Sequence, residues 1–210
     1  MYALFDTDCA MPVTIQPAIV RDMASLAHHA MLIEVYTTPK PGLVDRANNG
    51  AHRDMTVETF ERSANAIAPW LVQFTETGIN SALLPVNRLL SELRPIGRAC
   101  ELDMYLATAG INTHKGMLFS LALVCAAAGR LWQQGKIINQ HTLCQVVANA
   151  TEGLVATELA ANTQPRTAGE RFYHQHGLRG VRGEVESGFE TVRAHALPVY
   201  REALNHGADR

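Results

Sequence analysis

The stretch TPKPGLVDRANNGAHRDM, residues 38–55, sets Lys40, Arg46, His52 and Arg53 beside Asp45 and Asp54 in a segment that also holds two prolines and two glycines. Pro39 and Pro41 restrict φ, while Gly42 and Gly50 permit turns or close approach of backbone to a ligand. Cations next to carboxylates suit a nucleotide polyphosphate with Mg2+. Basic groups pair with phosphate oxygens, and one or two carboxylates hold a metal that keeps most of its waters. The same residues also fit a surface loop whose charges pair with each other, although long loops are often functional.

Two further stretches carry the same kind of chemistry. In ATAGINTHKG, residues 107–116, a glycine turn leads into Asn112, Thr113, His114 and Lys115 at the start of a very apolar segment. A helix N-terminus offers unpaired N–H groups and the positive end of a dipole, so a phosphate there is held by backbone and side chain together. A capped helix with two exposed basic residues is the plainer reading. Lys115 is followed by Gly116, so the segment is not a P-loop. In GLRGVRGEVESGFETVR, residues 177–193, Arg179 and Arg182 sit among glycines ahead of Glu184 and Glu186. Glu184 is a candidate base or metal ligand, or a partner for the dipole of a following helix. A weaker cluster, RPIGRACELDM at 94–104, places Glu101 and Asp103 two apart, which on a helix does not share a face.

No G-x-S-x-G elbow and no G-x-G-x-x-G fingerprint occurs, which removes the usual hydrolase and dinucleotide readings. The net charge of -2 argues against non-specific nucleic-acid binding. Cys9, Cys100, Cys125 and Cys144 form no C-x-x-C pair, which fits a reducing cytoplasm. The N-terminus lacks the pattern of a secretory signal, and the apolar run at 117–128 is short for a bilayer span, so no membrane partner is expected.

The elements that must position these residues read as helices. Apolar residues make up 47 % and charged residues 18 % of the 210, enough apolar material for a full core. A period near 3.6 predicts helices over 20–36, 56–77, 83–107 (two pieces broken near Pro95), 113–134, 141–161, 168–176, 184–194 and 198–205. Pro39 and Pro41 end the first, and Gly78 is the expected stop of the second. Asn112 or Thr113 is the expected cap of the helix over 113–134, which is apolar on nearly every face and belongs at the centre. With no alternating strand pattern, the expectation is all-α: one helical bundle over 1–210, with residues 1–18 as a flexible start and the helix near 113–134 buried.

Taken in order, TPKPGLVDRANNGAHRDM, ATAGINTHKG and RGEVESGF resemble the triphosphoribosyl-dephospho-coenzyme A synthases, from about Met31 to Pro198. Thr38 stands where serine is common and Ile111 where valine is common. The segments LRPIGRACELDM and RTAGERFY resemble the branch that serves citrate lyase rather than malonate decarboxylase. The resemblance implies transfer of the triphosphoribosyl unit of ATP to the ribose 2'-hydroxyl of 3'-dephospho-coenzyme A, with release of adenine. The product would pass to the enzyme that attaches it to the acyl-carrier subunit.

On that reading, Lys40, Arg46, His52, Arg53, Asn112, His114, Lys115 and Arg182 hold the triphosphate. Asp45 and Asp54 hold Mg2+, which arrives with ATP; Asp45 alternatively stabilises the oxocarbenium-like charge at the anomeric carbon, and Glu184 is the base. All three segments are expected to meet in one pocket.

The family's pattern continues beyond HALPVY into further helices, so the resemblance implies a chain short of that C-terminal portion, with an apolar face that favours a homo-oligomer. Two other classes stand beside the transferase: a non-catalytic nucleotide-binding module, and a nucleotide phosphohydrolase. The second is weakened because no histidine is followed directly by aspartate.

Overall fold

The computed structural model describes residues 16–165 and 167–208. The expectation of a flexible start falls mostly on residues outside this range. Among the described residues there is no strand, and helices carry the whole architecture.

Helix α1, Ala18–Tyr36, turns Val20, Ala27, Met31 and Val35 inward, and the extended Thr37 ahead of Pro39 ends it. Helix α2, Val57–Asn80, opens on a reciprocal cap in which the Thr56 and Thr59 side chains satisfy each other's backbone N–H groups. Its inward stripe runs through Ser63, Ala64, Ile67, Leu71 and Phe74. After a short 3-10 turn, Val86–Arg88, helix α3 spans Leu89–Ala107. Helix α4, Lys115–Gln133, is the core helix and packs against α1, α2 and α3. Helix α5, Gln140–Ala150, covers its other side, capped by Asn139 and Thr142. Shorter pieces follow: a π-helical turn at Ala156–Ala160, α6 at Ala168–His176, α7 at Gly180–Glu186, a second π-helical turn at Thr191–Ala196, and α8 at Leu197–Asn205.

Several sequence expectations change. Pro95 lies inside a continuous α3 and does not break it; the irregular stretch comes earlier, after Pro85. The expected helix over 141–161 ends at Ala150, where the Thr151 hydroxyl turns back to the Val147 carbonyl. The expected helix over 184–194 is displaced, because α7 begins at Gly180 and a turn through Gly188 and Phe189, both at positive φ, follows it. The cap position of α4 is His114, and neither Asn112 nor Thr113 caps it. By length and composition α4 passes for a membrane span, longer than the run at 117–128 suggested, yet 56 % of it is buried inside the protein. That is the reading of a core helix.

Gly78 does not stop α2. A methyl placed there would lie 1.9 Å from the Ala126 carbonyl oxygen, and one on Gly129 would lie 2.1 Å from that of Thr75. The two glycines let α2 and α4 meet backbone to backbone. Near this contact the buried Arg130 guanidinium donates to the carbonyls of Ser81 and Leu84, both at 2.6 Å, and Gln134 donates to that of Ala82. These bonds sew the α2–α3 connection onto α4.

Alanine at Gly129 should therefore lower stability by about 1–3 kcal/mol or more, read as a drop in the urea midpoint. A gain of the ~1 kcal/mol that Gly→Ala brings to an uncrowded helix would contradict the close contact.

Candidate functional site

The Pro–Gly loop is built around one carboxylate. Asp45 is buried, and its oxygens accept the backbone N–H groups of Lys40 (2.8 Å), Ala47 (2.8 Å) and Asn48 (3.0 Å). The N–H groups of Lys40 and Asn48, then that of Ala47, hold its carboxyl below the ordinary value of 3.8, against the opposing effect of burial. Gly50 supplies a positive φ where a methyl would strike the backbone of Gly42 and Leu43 at 2.5 Å. Both Asp45 oxygens are thus committed to the loop's own backbone, which leaves this carboxylate poorly placed to face a metal or a sugar.

Lys40 reaches back to the end of α1. Its ammonium donates to the Glu34 carbonyl (2.6 Å) and carboxylate (2.8 Å), so it caps the helix C-terminus as well as facing the cleft described next. Arg46 stacks its guanidinium over the Tyr36 ring at 4.4 Å. Arg53 and Asp54 are exposed.

Between this loop and the start of α4 lies a cleft of about 250 Å³. Glu34, Lys40, His52, Asn112 and His114 give it a polar lining, and Leu43, Met55, Phe60 and Met117 form apolar walls. His114 is 2 % exposed. Its Nδ1 lies 2.7 Å from Ser63 Oγ, which in turn accepts from Thr113 Oγ1 at 2.7 Å. With Thr113 donating to Ser63, the Ser63 hydroxyl proton has Nδ1 as its acceptor, an arrangement that favours the tautomer with the ring proton on Nε2. Nε2 is buried and has no hydrogen-bond partner among the described residues. The Phe60 ring meets the imidazole edge-on at 4.9 Å. Burial first, and the nearby Lys40 charge second, push the imidazole from an ordinary 6.5 to about 4. The ring is neutral at physiological pH. The expectation of His114 as a cationic phosphate holder is corrected accordingly: it is a neutral hydrogen-bond donor.

A second cleft, of about 260 Å³, opens on the other side of the α4 start. Lys115, paired with Glu101, and Arg182 line it together with Arg94, Arg98 and Glu158. Glu158 accepts from Arg94 and, at 2.9 Å, from Arg182 Nε. Burial works to raise its carboxyl, but the hydrogen bonds from Arg182 and Arg94 outweigh it and hold the group below its ordinary value.

The three segments therefore do not share one pocket. The loop and the α4 start share the first cleft, while Arg182 joins Lys115 in the second. Arg46, Arg53, Asp45, Asp54 and Glu184 line neither. Glu184, within α7, accepts the Thr191 hydroxyl on one oxygen, and its other oxygen is buried without a partner among the described residues. Among the described residues no three His, Cys, Asp or Glu side chains gather into a metal-holding group.

Sequence reasoning missed Ser63, Glu34 and Glu158. Ser63 had a signal: it stands three residues after Phe60 on the inward stripe of α2, where a hydroxyl needs a buried partner.

The fold defines an all-α protein with two polar-edged clefts on either side of one helix start. Residues 20–210 match the family model of the ATP:dephospho-CoA triphosphoribosyl transferases, and the chain belongs to that family. It is 52 % identical over 200 residues to a Citrobacter koseri protein named "Probable 2-(5''-triphosphoribosyl)-3'-dephosphocoenzyme-A synthase", covering 95 % of this chain and 65 % of the relative. To the 2-(5''-triphosphoribosyl)-3'-dephosphocoenzyme-A synthase of Pectobacterium atrosepticum it is 50 % identical over 188 residues, 90 % of this chain and 62 % of the relative. The chain thus spans somewhat under two thirds of the length of these relatives. No solved structure matches it.

Two outcomes test this geometry. The unfolded chain binds a proton at His114 near pH 6.5, the folded chain only near 4. Stability from the neutral ring is therefore complete above 6.5 and is lost as pH falls toward 4. Unfolding free energies of H114Q, read from urea titrations, should vary less across that window than those of wild type, by up to about 3 kcal/mol; equal pH dependence would refute a buried neutral imidazole. Asp45 works with the same sense. Its carboxylate supports the loop above the ordinary 3.8, and that support fades as pH falls through the lower folded value. D45N turns an amide N–H toward the Lys40 N–H, so it should speed proteolytic nicking within 38–55 at neutral pH; unchanged nicking would deny Asp45 its organising role.

Proposed function

We propose that the whole protein transfers the triphosphoribosyl unit of ATP to the ribose 2'-hydroxyl of 3'-dephospho-coenzyme A. The observation that carries this reading is the buried Nε2 of His114, without a partner among the described residues, at the cleft beside the Pro–Gly loop, in a chain of this family. The reaction is a displacement at the anomeric carbon. The acceptor oxygen forms a bond to C1' as the bond to adenine N9 breaks, and the electron pair leaves with adenine. The proton lost by the hydroxyl balances the one that adenine carries away.

A departing purine needs a hydrogen-bond donor at a ring nitrogen, and a dry, fixed N–H serves better than a solvated one. In this reading adenine lies between the Phe60 and Met117 walls, with His114 Nε2–H on a ring nitrogen. Being neutral, the imidazole polarises the leaving group by hydrogen bonding. Positive charge growing on the sugar calls for a carboxylate nearby, and Glu34 is the one that lines this cleft. The triphosphate extends along Lys40, His52 and Asn112 toward Arg46 and Arg53, and Mg2+ enters as part of the ATP substrate. Handle and reacting centre are separate, so binding energy from the phosphates serves to orient the sugar.

The finer parts of the reading rest on sequence alone. The LRPIGRACELDM and RTAGERFY segments favour the citrate lyase pathway over malonate decarboxylase, with the product handed to the enzyme that loads the acyl carrier. A cytoplasmic setting suits both nucleotide substrates.

The test mixes the protein with ATP, Mg2+ and dephospho-coenzyme A and measures adenine by chromatography. Adenine that depends on the acceptor is expected. H114A should lower its rate by roughly tenfold or more, about 1.4 kcal/mol of barrier. In wild type no loss of activity should centre on pH 6.5 from this ring. Release of ADP or AMP with phosphate would point to a phosphohydrolase, and ATP binding without product to a non-catalytic module.

A further inference from the structure

We propose that the second cleft, between α3, the first turns of α4 and α7, is the acceptor site and holds the pantetheine diphosphate arm of dephospho-coenzyme A. This rests on the transferase reading above and assigns its other substrate. The chemistry to be recognised is an amphipathic chain ending in a diphosphate. The cleft has both parts. Leu90, Leu93, Leu118, Phe119 and Val181 form its apolar wall, while Arg94, Arg98, Lys115 and Arg182 stand with Glu101 and Glu158 at its polar edge. Four cations against Glu101, Glu158 and the adjoining Glu170 leave an excess of positive charge, which suits a diphosphate bridge.

The edge is held ready for an anion. Glu158 anchors Arg182 and Arg94 from one side, and Arg182 also lies 3.7 Å from Glu170. Arg98 is exposed and has no hydrogen bond or ion pair with the described residues, so its guanidinium is available to a ligand. Gly97 and Gly116 line the cleft with open space where a Cβ would stand, so an extended arm can lie against helix backbone there.

Position completes the case. Asn112, Thr113, His114 and Met117 face the first cleft, and Lys115, Gly116, Leu118 and Phe119 face the second. The two clefts are thus back to back across a single helical turn. A two-substrate displacement needs donor and acceptor to approach from different sides of one reacting centre. An acceptor whose arm occupies the second cleft has its ribose end free to reach over that turn toward the donor.

Calorimetric titration tests the assignment, using the wild-type chain, G97L and R98A. A Cβ at Gly97 meets nothing within 4 Å and leucine favours its helix, so the G97L variant should fold with its side chain in the cleft; R98A removes charge without added bulk. Each should weaken dephospho-coenzyme A by roughly tenfold or more and leave ATP affinity within about twofold. Unchanged dephospho-coenzyme A affinity in both variants overturns the assignment, as does a wild-type chain that binds ATP but not dephospho-coenzyme A. Binding of neither substrate, with no adenine released, overturns the transferase reading itself. Acceptor-dependent adenine release by variants of unaltered acceptor affinity sinks this inference alone.

Discussion

Helices α2 and α4 touch through their backbones, and the rest of the molecule is arranged around that contact. Gly78 and Gly129 remove the side chains that would hold the two apart. Toward the other end of the same helix pair, Ser63 on α2 lies within hydrogen-bonding distance of the imidazole that opens α4. The relay from Thr113 through Ser63 to His114 is therefore a product of helix packing as much as of local sequence. Its inner end is shielded from water, because Ser63 and His114 are both buried. In such surroundings an unpaired N–H is costly, and it is a strong donor to whatever ligand reaches it.

The candidate site divides labour between rigid and adjustable parts. The loop over 38–55 is closed by Asp45 and by short turn hydrogen bonds, including Ala51 N–H to the Gly42 carbonyl at 3.1 Å. Its carboxylate shapes backbone and so governs where Lys40 and His52 stand. The α4 start, by contrast, has no side-chain cap, so the N–H groups of its first turn are left for a ligand. Around the second cleft Arg94, Lys115 and Arg182 are already paired with carboxylates, which sets their directions before any anion arrives.

Much of the fold was legible in the sequence because local pattern decided it. The stripes of α1 and α2 follow the helical period, and the apolar content of α4 announces its central place. The misreadings came where tertiary contact outweighs local preference. Gly78 has the look of a stop but serves a helix crossing, and Pro95 sits within a helix whose neighbours hold it together. For the site, residue types and order pointed to the right stretches, yet charge state and facing did not follow. His114 looked cationic because a sequence does not show that the ring is buried beside Lys40. Arg182 looked like a companion of the Pro–Gly loop because order along the chain does not reveal which side of α4 it reaches.

Arg130 and Gln134 carry an implication for how the chain assembles. The carbonyls of Ser81, Ala82 and Leu84 find their donors on side chains 46 to 52 residues further along. Closing so long a span carries an entropic cost that neighbouring turns cannot offset. The corner between α2 and α3 should therefore remain loose in early collapsed species and set only when α4 docks, making that corner a clock for the last stage of folding.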